Sequence, residues 1–313
     1  MAMTVLSTTI DANNAGRVDL VVRQLSGSSH SQVRGMVDHC CVSINGAPCE
    51  DISTPVAVGD CVSIQYDPMQ RYHEKKKRWD DRTFDIAFED DHLIVVDKSA
   101  GSLTVPTDRI KTNTLVDRVS VYLSHSRRKR PAWIVHRLDR EVSGLIVFGK
   151  HEAIAARLIE QFKQRTPRRI YAAIVAGVMS SDGGTFDSHL ATGKNLDRFV
   201  APPSRNTEAA ITHYRVLRRM SDTTLVEATL ETGKRNQIRV HLADAGHPVL
   251  GDPRYKTEQA THPRWIRKRI ALHAKLLGFE HPVSGKAMTI ESPLPSALER
   301  FLAKNRTSRM TQR

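Results

Sequence analysis

The sequence predicts an α+β protein: a mixed, largely antiparallel sheet preceded by a small N-terminal α+β module. Three observations carry this. Beyond residue 83, apolar runs of strand length recur with few helical periods between them, at spacings too irregular for βαβ units. Residues 17–66 combine two short helical periods with strands that turn at Asn45-Gly46 and Gly59-Asp60. A chain of 313 residues is long enough for two domains.

Charge narrows the partners. Lys and Arg number 47 against 34 Asp and Glu, a formal net charge of +13 and a pI near 9.8, which favours polyanions such as nucleic acid. No apolar run approaches the roughly 20 residues a spanning helix needs. No lipidation signal is evident, and Met1-Ala-Met-Thr-Val-Leu6 lacks the basic start and long apolar core of a secretory signal. A monomeric cytoplasmic protein facing RNA, not a membrane, is the expectation. Cys40, Cys41, Cys49 and Cys61 show no metal-ligand spacing, so they are expected as free core residues and no metal is expected.

In chain order, residues 1–16 read as an extension. Val18, Val21, Val22 and Leu25 line one face of a helix, and Val33, Met36 and Val37 one face of a second. Cys41-Val-Ser-Ile44 and Cys61-Val-Ser-Ile64 read as strands. Residues 67–82 hold Arg71-Tyr-His-Glu-Lys-Lys-Lys-Arg-Trp79, basic with interleaved aromatics and no apolar period, and read as a linker or an RNA-touching strap. The larger domain, 83–303, opens with strands at Phe84-Asp-Ile-Ala-Phe88 and Leu93-Ile-Val-Val-Asp97. Ile154, Leu158 and Phe162 mark a helix, and Arg169 to Gly177 a strand. Residues 183–207 form a polar excursion carrying Lys194, Arg198 and Arg205, read as an RNA-facing loop. Strands return at 212–216 and 224–228, Glu231-Thr-Gly233 turns into a helix, and 271–279 is a late strand. Residues 304–313 read as a basic disordered tail.

One stretch stands out chemically. Between the apolar runs at Trp133-Ile-Val135 and Val142-Ser-Gly-Leu-Ile-Val-Phe148 sit His136, Arg137, Asp139, Arg140 and Glu141, with no room for a helix. A carboxylate beside a core is costly unless paired, so this is either a structural ion-pair corner or a site.

Four separated segments then agree on a family. His136-Arg-Leu-Asp-Arg140 with Ser143-Gly-Leu145, Lys98-Ser-Ala-Gly101, Tyr171-Ala-Ala-Ile-Val-Ala-Gly177, and Thr232-Gly-Lys-Arg-Asn-Gln-Ile-Arg-Val-His241 with Gly251-Asp-Pro-Arg-Tyr255 resemble, in order, the motifs of the RluA-like, large-subunit-rRNA type of pseudouridine synthase. Residues 17–66 resemble the S-four-like RNA-binding domain that accompanies many members, which makes Ser31, Arg34 and His39 candidate RNA contacts. The resemblance implies the pseudouridine synthase fold and isomerisation of uridine in RNA, rRNA or alternatively tRNA, without metal or cofactor. It makes Asp139 the catalytic carboxylate, as nucleophile or as base, Arg239 its partner, and Tyr171 the ring that stacks on the base. Arg137 would fill the gap left by the flipped base, since an enzyme acting on a base must unstack it. His136 and Arg140 would set the loop at the substrate, and Ile238 and Lys234 would face the pocket.

The sequence departs from the family in its third motif, where Gly233-Lys234-Arg235-Asn236-Gln237 replaces Gly-Arg-Thr/Ser-His-Gln. A planar fork becomes a point charge at Lys234, and Asn236 cannot titrate as histidine does. These changes leave a second reading, a catalytically silent RNA binder of the same fold.

Overall fold

The computed structural model describes residues 3–72, 81–108, 110–124, 131–265 and 269–305. It divides into two compact units, 1–80 and 81–313. The proposed strap and most of the linker, at 73–80, and the tail, at 306–313, lie outside the described residues.

The first unit comprises β1 (Thr4–Thr9), β2 (Gly16–Arg17), α1 (Val18–Ser26), α2 (His30–Asp38), β3 (Val42–Ile44), β4 (Ala47–Pro48), β5 (Pro55–Val56) and β6 (Cys61–Tyr66). The helix faces read from the sequence are buried as expected: Val18, Val21 and Val22 of α1 and Val33, Met36 and Val37 of α2 pack with Val42, Val62 and Ile64 in one core. Three expectations need correction. Residues 1–16 are not an extension: β1 pairs antiparallel with β6 from Thr4–Tyr66 to Thr9–Cys61, and Ile10 joins the core. Tyr72 is also buried in this core, its hydroxyl accepting from the Asp67 amide, so the module runs past residue 66. Of the cysteines only Cys49 is buried, because Cys61 lies on the outward side of β6 and Cys40 sits in a left-handed turn.

The second unit is built on one sheet. Its elements are β7 (Phe84–Glu89), β8 (Leu93–Lys98), α3 (Leu115–Leu123), β9 (Trp133–Ile134), β10 (Ser143–Gly149), α4 (Glu152–Lys163), β11 (Arg168–Ala176), β12 (Gly183–Thr192), β13 (Arg198–Ala201), β14 (Glu208–Arg219), β15 (Thr223–Leu230), α5 (Gln237–Asp244), β16 (Leu272–Glu280), β17 (Ala287–Glu291) and α6 (Ser296–Lys304). The sheet runs β13-β12-β14-β15-β11-β16-β10-β8-β7, with β17 added on β16 and β9 on β10. Its pairings are antiparallel except β10 with β16, so the predicted mixed, largely antiparallel class holds. The central strands β8, β10 and β11 are near-continuous apolar runs because both faces are covered. Gly144 makes the parallel pair possible: its φ is +119°, and a Cβ there would stand 2.3 Å from the Ala274 carbonyl oxygen.

The polar excursion is a correction too. Residues 183–192 and 198–201 form a hairpin, β12 with β13, at the sheet edge. Arg198 is not an RNA-facing cation: it is buried, with Nη2 2.7 Å from Glu208 and Nη1 2.8 Å from the Thr192 hydroxyl. Lys194 and Arg205 remain exposed. Gly193 and Pro202-Pro203 fall in the turns that follow β12 and β13, which a single sequence reads as one loop.

Candidate active site

The loop between β9 and β10 carries Asp139, and buried groups hold it down. Lys98, at the end of β8, has no exposed surface, and its Nζ donates to the carbonyls of Ser99 (2.9 Å), Arg140 (3.1 Å) and Val142 (2.7 Å). Thr104 donates to the Leu138 carbonyl at 2.7 Å, and Arg140 clamps Gly101 through its side chain and its carbonyl. The Lys98-Ser-Ala-Gly101 motif is thus the anchor of the Asp139 loop.

Burial pulls the Lys98 ammonium down to about 7, against the pull of Glu141 and Asp139 upward. Its folded value lies below the ordinary lysine value, so the penalty of charging it is fully present below about pH 7. From there to the unfolded value of 10.5 the unfolded chain holds the extra proton, and stability rises with pH. The unfolding free energy of the native chain minus that of Lys98→Met should therefore grow by on the order of a few kcal/mol across that window. Urea titrations between pH 6 and 10 measure it; a constant difference would contradict the assignment.

Three segments meet at Asp139. Arg239 on α5 donates from Nη1 to Asp139 at 2.8 Å, and from Nε and Nη2 to Asp252 at 2.7 and 2.8 Å. The three side chains are 21% (Asp139), 5% (Arg239) and 0% (Asp252) exposed, so one guanidinium bridges a buried anchor and a carboxylate that reaches the cleft. Burial works against the charge on Arg239, but Asp252 and Asp139 outweigh it and hold the group protonated above its ordinary range. Planar Arg suits this because its fork serves two carboxylates at fixed angles. Asp252 also accepts from the amides of Arg254 and Tyr255.

The departures in the third motif find partners. Asn236 is left-handed, with φ +58°, a conformation Asn tolerates. Its Nδ2 donates to the Tyr255 hydroxyl at 2.9 Å, and its Oδ1 accepts from Arg239 at 3.2 Å. Gln237 is buried and accepts from Thr232 and from the Lys234 amide, which fixes the glycine turn. The Lys234 Nζ lies 2.9 Å from Glu208.

These elements border a cleft of about 530 Å³. Among the predicted residues, His136, Arg137, Asp139, Tyr171, Lys234, Ile238 and Arg239 line it. Its cations are Arg137, Lys163, Arg165, Arg169, Lys234, Arg235 and Arg239, and Asp139 is the one carboxylate among its lining residues. Burial pushes the Tyr171 phenol up, with Arg169 opposing and Asp139 adding to the rise. His136 accepts from the Val147 amide at 3.2 Å and stacks 4.6 Å from Phe162; burial, with Arg169, lowers it to about 3, which favours the neutral ring. Arg137 is exposed, with no hydrogen bond or ion pair among the described residues. Arg140 does not line the cleft, because its Nε is spent on Gly101. Ser31, Arg34 and His39 lie in the other unit, on α2 and its C-cap; Ser31 and His39 are exposed, and His39 packs edge-on to Tyr72. Sequence reasoning missed Asp252 and Arg169 as site members. Asp252 stood inside a quoted motif, and Arg169 is two residues ahead of Tyr171 on one strand.

The sheet and this loop define a class. A family model described as RNA pseudouridylate synthase matches residues 92–244. A human RNA pseudouridylate synthase domain containing 4 structure superposes with a TM-score of 0.59 at 23% identity, covering 71% of this chain and 92% of that one, a likeness of fold. Among curated relatives, a ribosomal large subunit pseudouridine synthase D from Nitrosomonas europaea is 35% identical over 94% of this chain and 86% of its own length. A protein of the same description from Zymomonas mobilis subsp. mobilis is 33% identical, covering 87% of each chain. The chain belongs to the RNA pseudouridylate synthase family and is an isomerase of that class.

Proposed function

We propose that this pseudouridine synthase isomerises uridine in large-subunit ribosomal RNA, with Asp139 as the reacting carboxylate. The observation that carries the reading is the Asp139–Arg239–Asp252 chain, which presents one carboxylate to a cleft whose other charged lining residues are all cations. Whether Asp139 attacks the anomeric carbon or removes the C2′ proton, the Arg239 guanidinium at 2.8 Å holds its carboxylate in place at the cleft. Tyr171 offers a ring for the flipped base, Ile238 packs the pocket wall, and His136 orders the loop. Lys234 and its neighbours meet phosphates at the rim. The silent-binder alternative loses its main support once Asn236 has a structural role beside Arg239. The substrate class follows from the descriptions of the relatives; transfer RNA is the other candidate. The chain is taken as a monomer acting in the cytoplasm.

The N-terminal unit is read as an S-four-like module touching RNA through Ser31, Arg34 and His39. Its charge sets its share of the work: residues 1–80 carry 8 Lys and Arg against 9 Asp and Glu, while 81–313 carry 39 against 25. Long-range attraction of RNA therefore resides in the catalytic unit, and the module contributes local contacts.

Exposed and unengaged, Arg137 is suited to enter the stack in place of the base. Arg137→Ala should slow modification of a uridine within structured RNA by roughly 10²-fold, the equivalent of a few kcal/mol of unstacking, and affect an unpaired uridine less. Equal losses on both RNAs would contradict that role. For the function itself, the purified protein should release tritium from uracil-C5-labelled large-subunit RNA. Deleting the gene should remove pseudouridines from that RNA; loss from transfer RNA alone would move the substrate, and no release from any RNA would refute the reading.

A further inference from the structure

Arg169 is a buried cation with no carboxylate partner among the described residues. It is 8% exposed, yet it has no ion pair among the described residues. Its Nη2 donates to the Glu231 carbonyl at 3.2 Å, its Nε is buried without a partner, and its Cζ lies 5.6 Å from the Phe162 ring centroid. Its Nη1 has no protein acceptor among the described residues and sits over Gly233, where a Cβ would come within 2.4 Å. A buried guanidinium without a carboxylate is costly, and an apolar residue would pack there at less expense in stability. Its position suggests what offsets that cost. Arg169 and Tyr171 are two apart on β11, hence on one face, and both line the cleft with His136 and Phe162. Lys163 and Arg165 are 70% and 50% exposed, suited to backbone phosphates; Arg169, at 8%, lines the same cleft from a buried position.

We propose that Arg169 is a further catalytic residue, whose guanidinium contacts the detached uracil and neutralises its negative charge. The proposal rests on the reading of Asp139 as the reacting carboxylate. When the N1–C1′ bond breaks, the bonding pair stays with uracil as an anion spread over N1, O2 and O4. The sugar remains either bonded to Asp139 or as a glycal whose C2′ proton is on Asp139. Rejoining uses the anion's electrons to form C5–C1′, Asp139 returns to a free carboxylate, and the C5 proton ends on N1. Arg169 keeps its protons throughout. A fixed cation in a water-poor site stabilises developing charge most when it needs no reorganisation, and Glu231, Phe162 and Gly233 hold this one in place. Gly233 is the residue that leaves it room.

The test is single-turnover kinetics on Arg169→Met with ordinary and C5-deuterated RNA. The expected result is a rate loss of roughly 10²-fold, the size seen when one charge-stabilising donor is removed. RNA affinity and its salt dependence should be unchanged, and the rate insensitive to deuterium because bond cleavage limits it. Arg169→Lys should recover part of the rate. Gly233→Ala, whose backbone is not left-handed, keeps the charge but displaces it, and should show the same pattern; it decides the matter if Arg169→Met proves thermally unstable. A native rate would overturn the proposal. So would a loss that tracks weaker binding with a shallower salt slope, which marks a phosphate contact, or a deuterium effect, which marks a role at C5. Asp139→Asn separates the failures: if it is active, the underlying site reading falls; if it is inactive while Arg169→Met runs at full rate, only Arg169 is misassigned.

Discussion

Asp139→Asn should abolish pseudouridine formation while leaving fold and RNA binding in place. Asparagine keeps the shape of the side chain and can still accept from Arg239, but it offers neither a nucleophilic carboxylate nor a base. Removing a group that forms or accepts the reacting bond costs on the order of 10⁴-fold or more in other enzymes. Stability should change little, because Arg239 retains both bonds to Asp252 and Asp139 is partly solvated. Deleting the single anionic group from a cleft lined by seven cations should leave RNA affinity equal or slightly tighter. Tritium release together with filter binding measures both, and product formation by the variant at a comparable rate would contradict the role.

Arg239→Met has the second large expected effect, and it falls on fold and activity together. Asp252 would keep only the amides of Arg254 and Tyr255 while remaining fully buried. Breaking one partner of a buried pair costs about 3–5 kcal/mol, because the charge left behind is uncompensated. A double replacement, Arg239→Met with Asp252→Leu, removes both charges and should recover much of that stability. It should not recover activity, since Asp139 still lacks its guanidinium. Urea unfolding beside single-turnover rates reads the two effects apart. Recovery of both by the double variant would mean that Arg239 acts only as a structural link.

How much of this was legible in the sequence follows from where the information sits. The apolar face of α4 at Ile154 and Leu158, and the buried runs of β8 and β10, were readable because burial on one element imposes a local period. The hairpin of β12 and β13 was not. Its residues alternate weakly; β12 is a strand through pairing with β14, whose first residue is 16 positions beyond the end of β12, and β13 through pairing with β12. The helices α3 and α6 went unassigned, although Thr114 and Asp117 form a capping box that the sequence displayed. β1 was missed because an edge strand is recognised by its partner more than by its own composition.

The site divides along the same line. By itself the sequence determined the class of chemistry: four ordered motifs supplied a carboxylate, an arginine, a tyrosine and a lysine, and their residue types limit what they can do. Tertiary structure alone decided which groups meet. Asp139 and Arg239 are separated by 100 residues and joined at 2.8 Å. Lys98 gains its meaning from three carbonyl partners that make it the anchor of the Asp139 loop, and the Arg140 Nε is directed to the Gly101 carbonyl and not into the cleft. Asn236 looked like damage and proved to be a bridge between Tyr255 and Arg239. The physical reason is common to all of them. Residue type sets which bonds a side chain can make, but burial and long-range pairing set which of those bonds remain unmade. At Arg169 and Arg137, it is the unmade bonds on which the proposed roles rest.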